Sequence, residues 1–183
     1  LQGMNVDIEW GQDLDYSKEK ILTQDFDVPH FLTHYPKIAK PFYHRVDPDD
    51  DNYVLCHDLL APEGYGEIIG GGERTWSEEE ILARLKEEGT PTEAYQFYID
   101  TRSYGGVPHG GFGLGVDRVC AWLTGADHIR EVIPFPANGQ AQDLMMSAPS
   151  EVTPEQLRDL GIQLDPRVKA DLLAKKEEAL AKS

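Results

Sequence analysis

Apolar residues fall in short, β-prone runs over the first 75 positions and in helically spaced stripes after them. Residues 31–35, 41–45, 53–59 and 67–69 read as successive strands between Pro, Gly and Asp breakers, with the acidic run 47–51 as the turn joining the second and third. Few helical signals precede residue 76. Ser77 with Glu80 three residues on forms a capping box ahead of Ile81, Leu82 and Leu85, and Gly89 closes that helix. A second helix is predicted over about 93–101. Residues 108–115 are too glycine-rich for regular structure, and they feed a helix over 116–123 that stops at Gly125. Thr153, Pro154 and Gln156 open a short helix ending at Gly161, and Asp165-Pro166 caps a last one. Strands first and helices afterwards predict an α+β fold, an antiparallel β-sheet flanked by helices.

Composition narrows the classes. With 183 residues and 40% hydrophobic content the chain can bury a core. The 33 Asp and Glu outnumber 17 Lys and Arg, for a net charge of −16, so the chain carries no basic footprint for nucleic acid. Cys56 and Cys120 make no disulfide framework and read as small buried apolar residues of a reducing compartment. No run approaches a membrane span and no leader opens the chain, so the expected location is cytoplasmic, with no membrane partner. Leu1-Gln2-Gly3 ahead of Met4 reads as an expression scar.

Three features carry candidate chemistry. Gly111-Phe112-Gly113-Leu114-Gly115 runs into a helix whose first turn bears Arg118. Glycines admit a ligand close to backbone, a helix start favours an anion, and a guanidinium pairs with phosphate or stacks on a base. A purely structural glycine turn is the other reading. Asp58 and Glu67 stand on neighbouring strands across the loop 59–66, where a hairpin can bring two carboxylates together for magnesium; in so acidic a chain such pairs also arise by chance. Counting by two along 67–74 puts Gly70, Gly72 and Arg74 on one face, and Glu67 on the other with Ile69 and Gly71. Arg74 over glycine suits a planar carboxylate or amide. A surface ion pair with Glu73 or Glu78 is the alternative.

These pieces occur in a telling order. Tyr35-Pro36-Lys37, Phe42-Tyr43, the run 60–71 (LAPEGYGEIIGG), the run 104–115 (YGGVPHGGFGLG) and the run 129–136 (IREVIPFP) resemble the C-terminal half of the catalytic domain of asparaginyl-tRNA synthetases over roughly residues 8–136. The resemblance implies a partial class II aminoacyl-tRNA synthetase catalytic core over residues 4–136, followed by a helical extension over 137–183. It implies an ATP-dependent ligase that joins asparagine to ATP as an adenylate before transfer to tRNA. By the same resemblance Arg118 lies against adenine and the γ-phosphate as the catalytic arginine, Gly113 and Gly115 line the nucleotide, Asp58 and Glu67 hold Mg2+ with Glu67 also reaching ATP, and Arg74 reads the amino-acid side chain.

Some positions depart from the pattern. The family's first motif, which makes the dimer interface, and its second, whose arginine binds the α-phosphate, should precede Trp10, and the chain has no room for them; nor is there an anticodon-binding barrel. The expectation is therefore a fragment or shortened relative that is weak alone, in want of a homodimer partner or an N-terminal half. Ala137 and Asp117 replace more usual residues, while Pro41-Phe42-Tyr43-His44 and residues 143–150 followed by Gln156-Leu157 are closer to aspartyl enzymes. Aspartate specificity, a synthetase-related asparagine synthetase and a non-enzymatic interaction module are the alternative functions.

Overall fold

The computed structural model describes residues 6–150 and 152–181 and divides into two compact units, residues 1–133 and 134–183. The first is built on an antiparallel four-stranded sheet in the order β1-β2-β3-β4, comprising β1 (His30–Pro36), β2 (Tyr53–Ala61), β3 (Gly66–Arg74) and β4 (His109–Leu114). Helices α1 (Tyr16–Thr23), α2 (Glu78–Glu87), α3 (Gln96–Ser103) and α4 (Val116–Thr124) accompany it. The α+β expectation and the antiparallel order of the hairpin strands hold.

Three local expectations do not. Residues 41–45 form no strand, because Pro41 lacks a donor and the segment divides its bonds between two neighbours. His44 bridges Arg74, the Arg45 amide donates to Glu73, and the Arg45 carbonyl accepts from Leu55. Residues 109–114, predicted irregular, are strand β4. Its glycines face glycines, Gly113 opposite Gly70 and Gly111 opposite Gly72, so ladder bonds to β3 override poor strand propensity. Helix α1 was not anticipated at all. Its local support is modest, an Asp15 side chain capping Lys18 N–H, and its buried anchors, Glu19 and Thr23, are polar.

The helices with strong signals start and stop where the caps dictate. The Ser77 hydroxyl accepts from the Glu80 amide at 3.3 Å, while Glu79 rather than Glu80 receives the hydroxyl proton. Gly125 closes α4 at φ +69, a left-handed conformation that glycine adopts without strain. Ile81 and Leu85 of α2 and Ile99 of α3 clamp Phe42, with Tyr43, Tyr95 and Tyr98 around them. A smaller cluster of Tyr35, Val54 and Cys56 lies along the sheet. Arg84, buried on α2, donates to the Lys37 and Lys40 carbonyls and so ties the 37–40 turn to the helix layer.

In the second unit, α5 (Pro154–Asp159) begins with a complete capping box between Thr153 and Gln156, and α6 (Pro166–Ala181) follows. Among the described residues no helix is long and apolar enough to cross a membrane.

Candidate active site

Strand register decides which side chains meet. Asp58 lies opposite Gly70 and Cys56 opposite Gly72, while β4 sets Gly113 and Gly111 beside the same two glycines. One face of the sheet is therefore floored by Gly70, Gly72, Gly111 and Gly113. Between Leu59 and Leu60 the β2–β3 register slips, so that Leu60 pairs with Glu67 rather than Ile68. This bulge corrects the alternation counted from sequence: Glu67 leaves the Ile69 face and joins Asp58, Gly70 and Arg74. A Cβ built on Gly70 would lie 2.5 Å from Glu67 Oε1 and 3.3 Å from Asp58 Oδ1, so the two carboxylates converge over that glycine.

At one end of this floor Arg74 lies over Gly111, donating to its carbonyl at 3.4 Å and resting 5.1 Å from the Tyr43 ring centre. The surface ion pairs considered for it are not made among the described residues. Glu73 is held by Arg45, and Glu78 accepts from the Ser103 hydroxyl. Arg74 instead lines a cleft of about 340 Å³ with Asp13, Lys40, Tyr43, His44, Cys56, Asp58, Gly70 and Gly71 among its walls. At the other end Arg118, on the first turn of α4, donates to the Glu67 carbonyl at 2.7 Å and pairs with Glu67 Oε2 at 3.6 Å. Its side chain remains 46% exposed. Gly115 caps α4, donates to Ile68 O and packs against the Arg118 stem, whereas a Cβ on Gly113 would meet nothing within 4 Å.

Several site residues were not picked out from sequence. Lys40 Nζ sits between Asp13, at 3.0 Å, and Asp58, at 3.6 Å, and 4.1 Å over the Tyr35 ring. Burial opposes its charge, but the Asp13 hydrogen bond and the Asp58 and Asp13 charges outweigh it and raise the ammonium above its usual value. Burial and the Asp58 carboxylate push the Tyr35 phenol up, and burial takes the Cys56 thiol up to about 11. His44 is 7% exposed, and its Nδ1 has no partner among the described residues. Burial, then the positive charges of Arg74 and Lys40, lower its imidazole to about 4, so it is neutral at pH 7. Glu19 of α1 accepts the Glu67 amide at 3.0 Å. No local motif marks these positions, since each becomes functional only through a strand or helix brought from elsewhere.

The sheet face is thus floored by glycine, with an arginine at each end and paired carboxylates between them. Residues 4–139 match the tRNA synthetases class II (D, K and N), and the chain belongs to that family. Within it the kinship is to asparaginyl enzymes. A 136-residue stretch is 52% identical to the asparagine--tRNA ligase of Pyrococcus abyssi, covering 74% of this chain and 31% of that protein. The crystal structure of asparaginyl-tRNA synthetase from Pyrococcus horikoshii complexed with asparaginyl-adenylate superposes with a TM-score of 0.68 at 50% identity, over 72% of this chain and 30% of that one. The aspartyl-tRNA synthetase of Entamoeba histolytica shares the fold, with a TM-score of 0.69 over 78% of this chain and 30% of that one, but only 26% identity. This chain thus spans about a third of the length of the relatives it matches.

Proposed function

We propose that this chain supplies the amino-acid side-chain subsite and part of the ATP subsite of an asparaginyl-tRNA synthetase, the enzyme that forms asparaginyl-adenylate and passes asparagine to tRNA. The observation that carries the reading is the convergence of Asp58, Glu67, Arg74 and Arg118 on one glycine-floored face, together with about twice the identity to asparaginyl as to aspartyl relatives. Arg74 receives the side-chain carbonyl of asparagine in the enclosed cleft. Gly113 leaves room for the nucleotide against backbone, and Arg118 faces its phosphates and base.

Two hard carboxylate oxygens converging over Gly70 fit magnesium, which takes one or two carboxylates and completes its shell with substrate phosphates and water. Asp58 and Glu67 would hold it, and the ion would supply charge neutralisation for the departing pyrophosphate. Arg118 contributes to the same end by a fixed positive charge, and no protein nucleophile is required because the substrate carboxylate is itself the attacking group.

Calorimetry with Mg2+ and ATP tests the reading. Binding is expected in the unaltered chain and to weaken by about tenfold to a hundredfold in Arg118→Ala, as for loss of a charged hydrogen bond. Asparagine, and not aspartate, is expected to add thermal stability in the presence of Mg2+ and ATP, and Arg74→Ala to remove that increment. Equal nucleotide affinity in the Arg118 variant would overturn the assignment. Amidation of aspartate by the chain with ATP and ammonia would replace it with asparagine synthesis.

A further inference from the structure

We propose that Glu19 is a positioning residue for Glu67, its carboxylate holding the strand bulge that turns the Glu67 side chain onto the face shared with Asp58. The inference deepens the reading of Glu67 as a magnesium and ATP residue and rests on it for its functional consequence.

In an unbroken strand Glu67 alternates with Ile68 and shares the face of Ile69 and Gly71, away from Asp58. The slip that places Glu67 opposite Leu60 reverses this, and a bulge leaves local backbone groups in want of partners. Glu19 Oε2 meets one of them, accepting the Glu67 N–H at 3.0 Å from helix α1, and Arg118 of α4 meets another by donating to the Glu67 carbonyl at 2.7 Å. The backbone of Glu67 is therefore held on both sides by side chains from two helices far apart in sequence.

The fit around Glu19 is close. The residue is 5% exposed, and a Cβ on neighbouring Gly66, whose φ is +74, would come 3.0 Å from Glu19 Oε2. Gly66 is required both by its left-handed backbone and by that approach. Thr23, fully buried, donates its hydroxyl to the Glu19 carbonyl and anchors the helix turn that presents the carboxylate. A buried acid facing Asp58 and Glu67 gains nothing from their charges. What it contributes is an acceptor oxygen at the bulge, and a carboxamide supplies the same oxygen.

The test is amide hydrogen exchange by NMR on the full chain, paired with calorimetry using Mg2+ and ATP. In Glu19→Ala the Glu67 amide is expected to exchange at least about tenfold faster while the Ile69 and Gly71 amides stay protected, and affinity for Mg2+ with ATP to fall about tenfold. Glu19→Gln is expected to keep both near the unaltered values, a rescue that a need for the charge itself would not permit. If the alanine variant fails to fold, Glu19→Asp, one methylene too short to reach, takes its place. A Glu67 amide as protected in the alanine or aspartate variant as in the unaltered chain overturns the proposal, and so does a glutamine variant as defective as alanine. If the unaltered chain binds no Mg2+ with ATP, the magnesium reading falls, and Glu67 exchange still decides the role of Glu19.

Discussion

The two arginine ends of the sheet face are built on opposite principles. Arg74 is enclosed: its guanidinium lies on Gly111 and near Tyr43, and buried His44 and Cys56 with half-buried Lys40 wall the cleft it enters. Arg118 is open, tethered to Glu67 and nearly half exposed, and a Cβ on Gly113 would meet nothing within 4 Å. A small amino-acid side chain is read by few atoms, and discrimination requires those atoms to be preorganised and sheltered from water. A triphosphate presents charge over a longer reach, and a flat backbone floor with one well-placed cation accommodates it. Sensitivity to substitution should therefore differ in kind between the ends: damage to fold at the first, damage to binding alone at the second.

Glycine pairs across the floor expose the contrast. A Cβ on Gly72 would lie 2.7 Å from Cys56 Cα and from the Leu55 carbonyl, and 2.9 Å from His44 Nδ1, so backbone must move. Gly72→Ala is expected to cost about 3 kcal/mol or more, seen as a fall in Tm of about 6–12 °C by calorimetric scanning. A Tm within a degree of the unaltered chain would show the enclosed end to be plastic.

Acid should attack the same end. His44, lowered by burial and by Arg74 and Lys40, takes its proton only near pH 4 when folded, whereas the unfolded chain takes it near 6.5. Between those values the unfolded state holds more protons, so stability present above pH 6.5 is lost as pH falls toward 4, by about 3 kcal/mol over the window. His44→Gln should flatten that part of the pH profile of urea unfolding. An unchanged slope would assign the acid sensitivity to other groups.

The smallest effect belongs to the open end. Gly113→Ala adds a methyl group where nothing lies within 4 Å, so Tm should move by no more than about 2 °C while affinity for ATP with Mg2+ drops about tenfold, or about 1.4 kcal/mol. Undiminished affinity would place the nucleotide away from this floor.

Much of the fold was readable locally. The Ser77 and Thr153 caps, the Gly125 stop and the alternating runs of β2 and β3 announce their elements because each signal is spent within a few residues. Helix α1 and strand β4 escaped for the complementary reason. The buried anchors of α1, Glu19 and Thr23, are polar, and β4 is stabilised by its ladder with β3 against its own glycine content. The candidate site divides in the same way. Asp58, Glu67, Arg74, Gly113, Gly115 and Arg118 stood out from motif order, while Asp13, Glu19, Lys40 and His44 did not, since nothing in their own segments distinguishes them from surface or turn residues.

By itself, then, the amino-acid sequence determined the α+β class, the capped helices and the family, all properties of short windows and their order. Only the tertiary structure decided that Glu67 and residues from distant segments join the face of Gly70, Gly72 and Arg74. One slipped pair between Leu59 and Leu60 carries Glu67 across the sheet to Asp58: Gly70, Gly72 and Arg74 keep the shared face that a period of two gives them, while the residue beyond the bulge changes sides. That slip is held by hydrogen bonds from α1 and α4, far away in sequence, which no local pattern records.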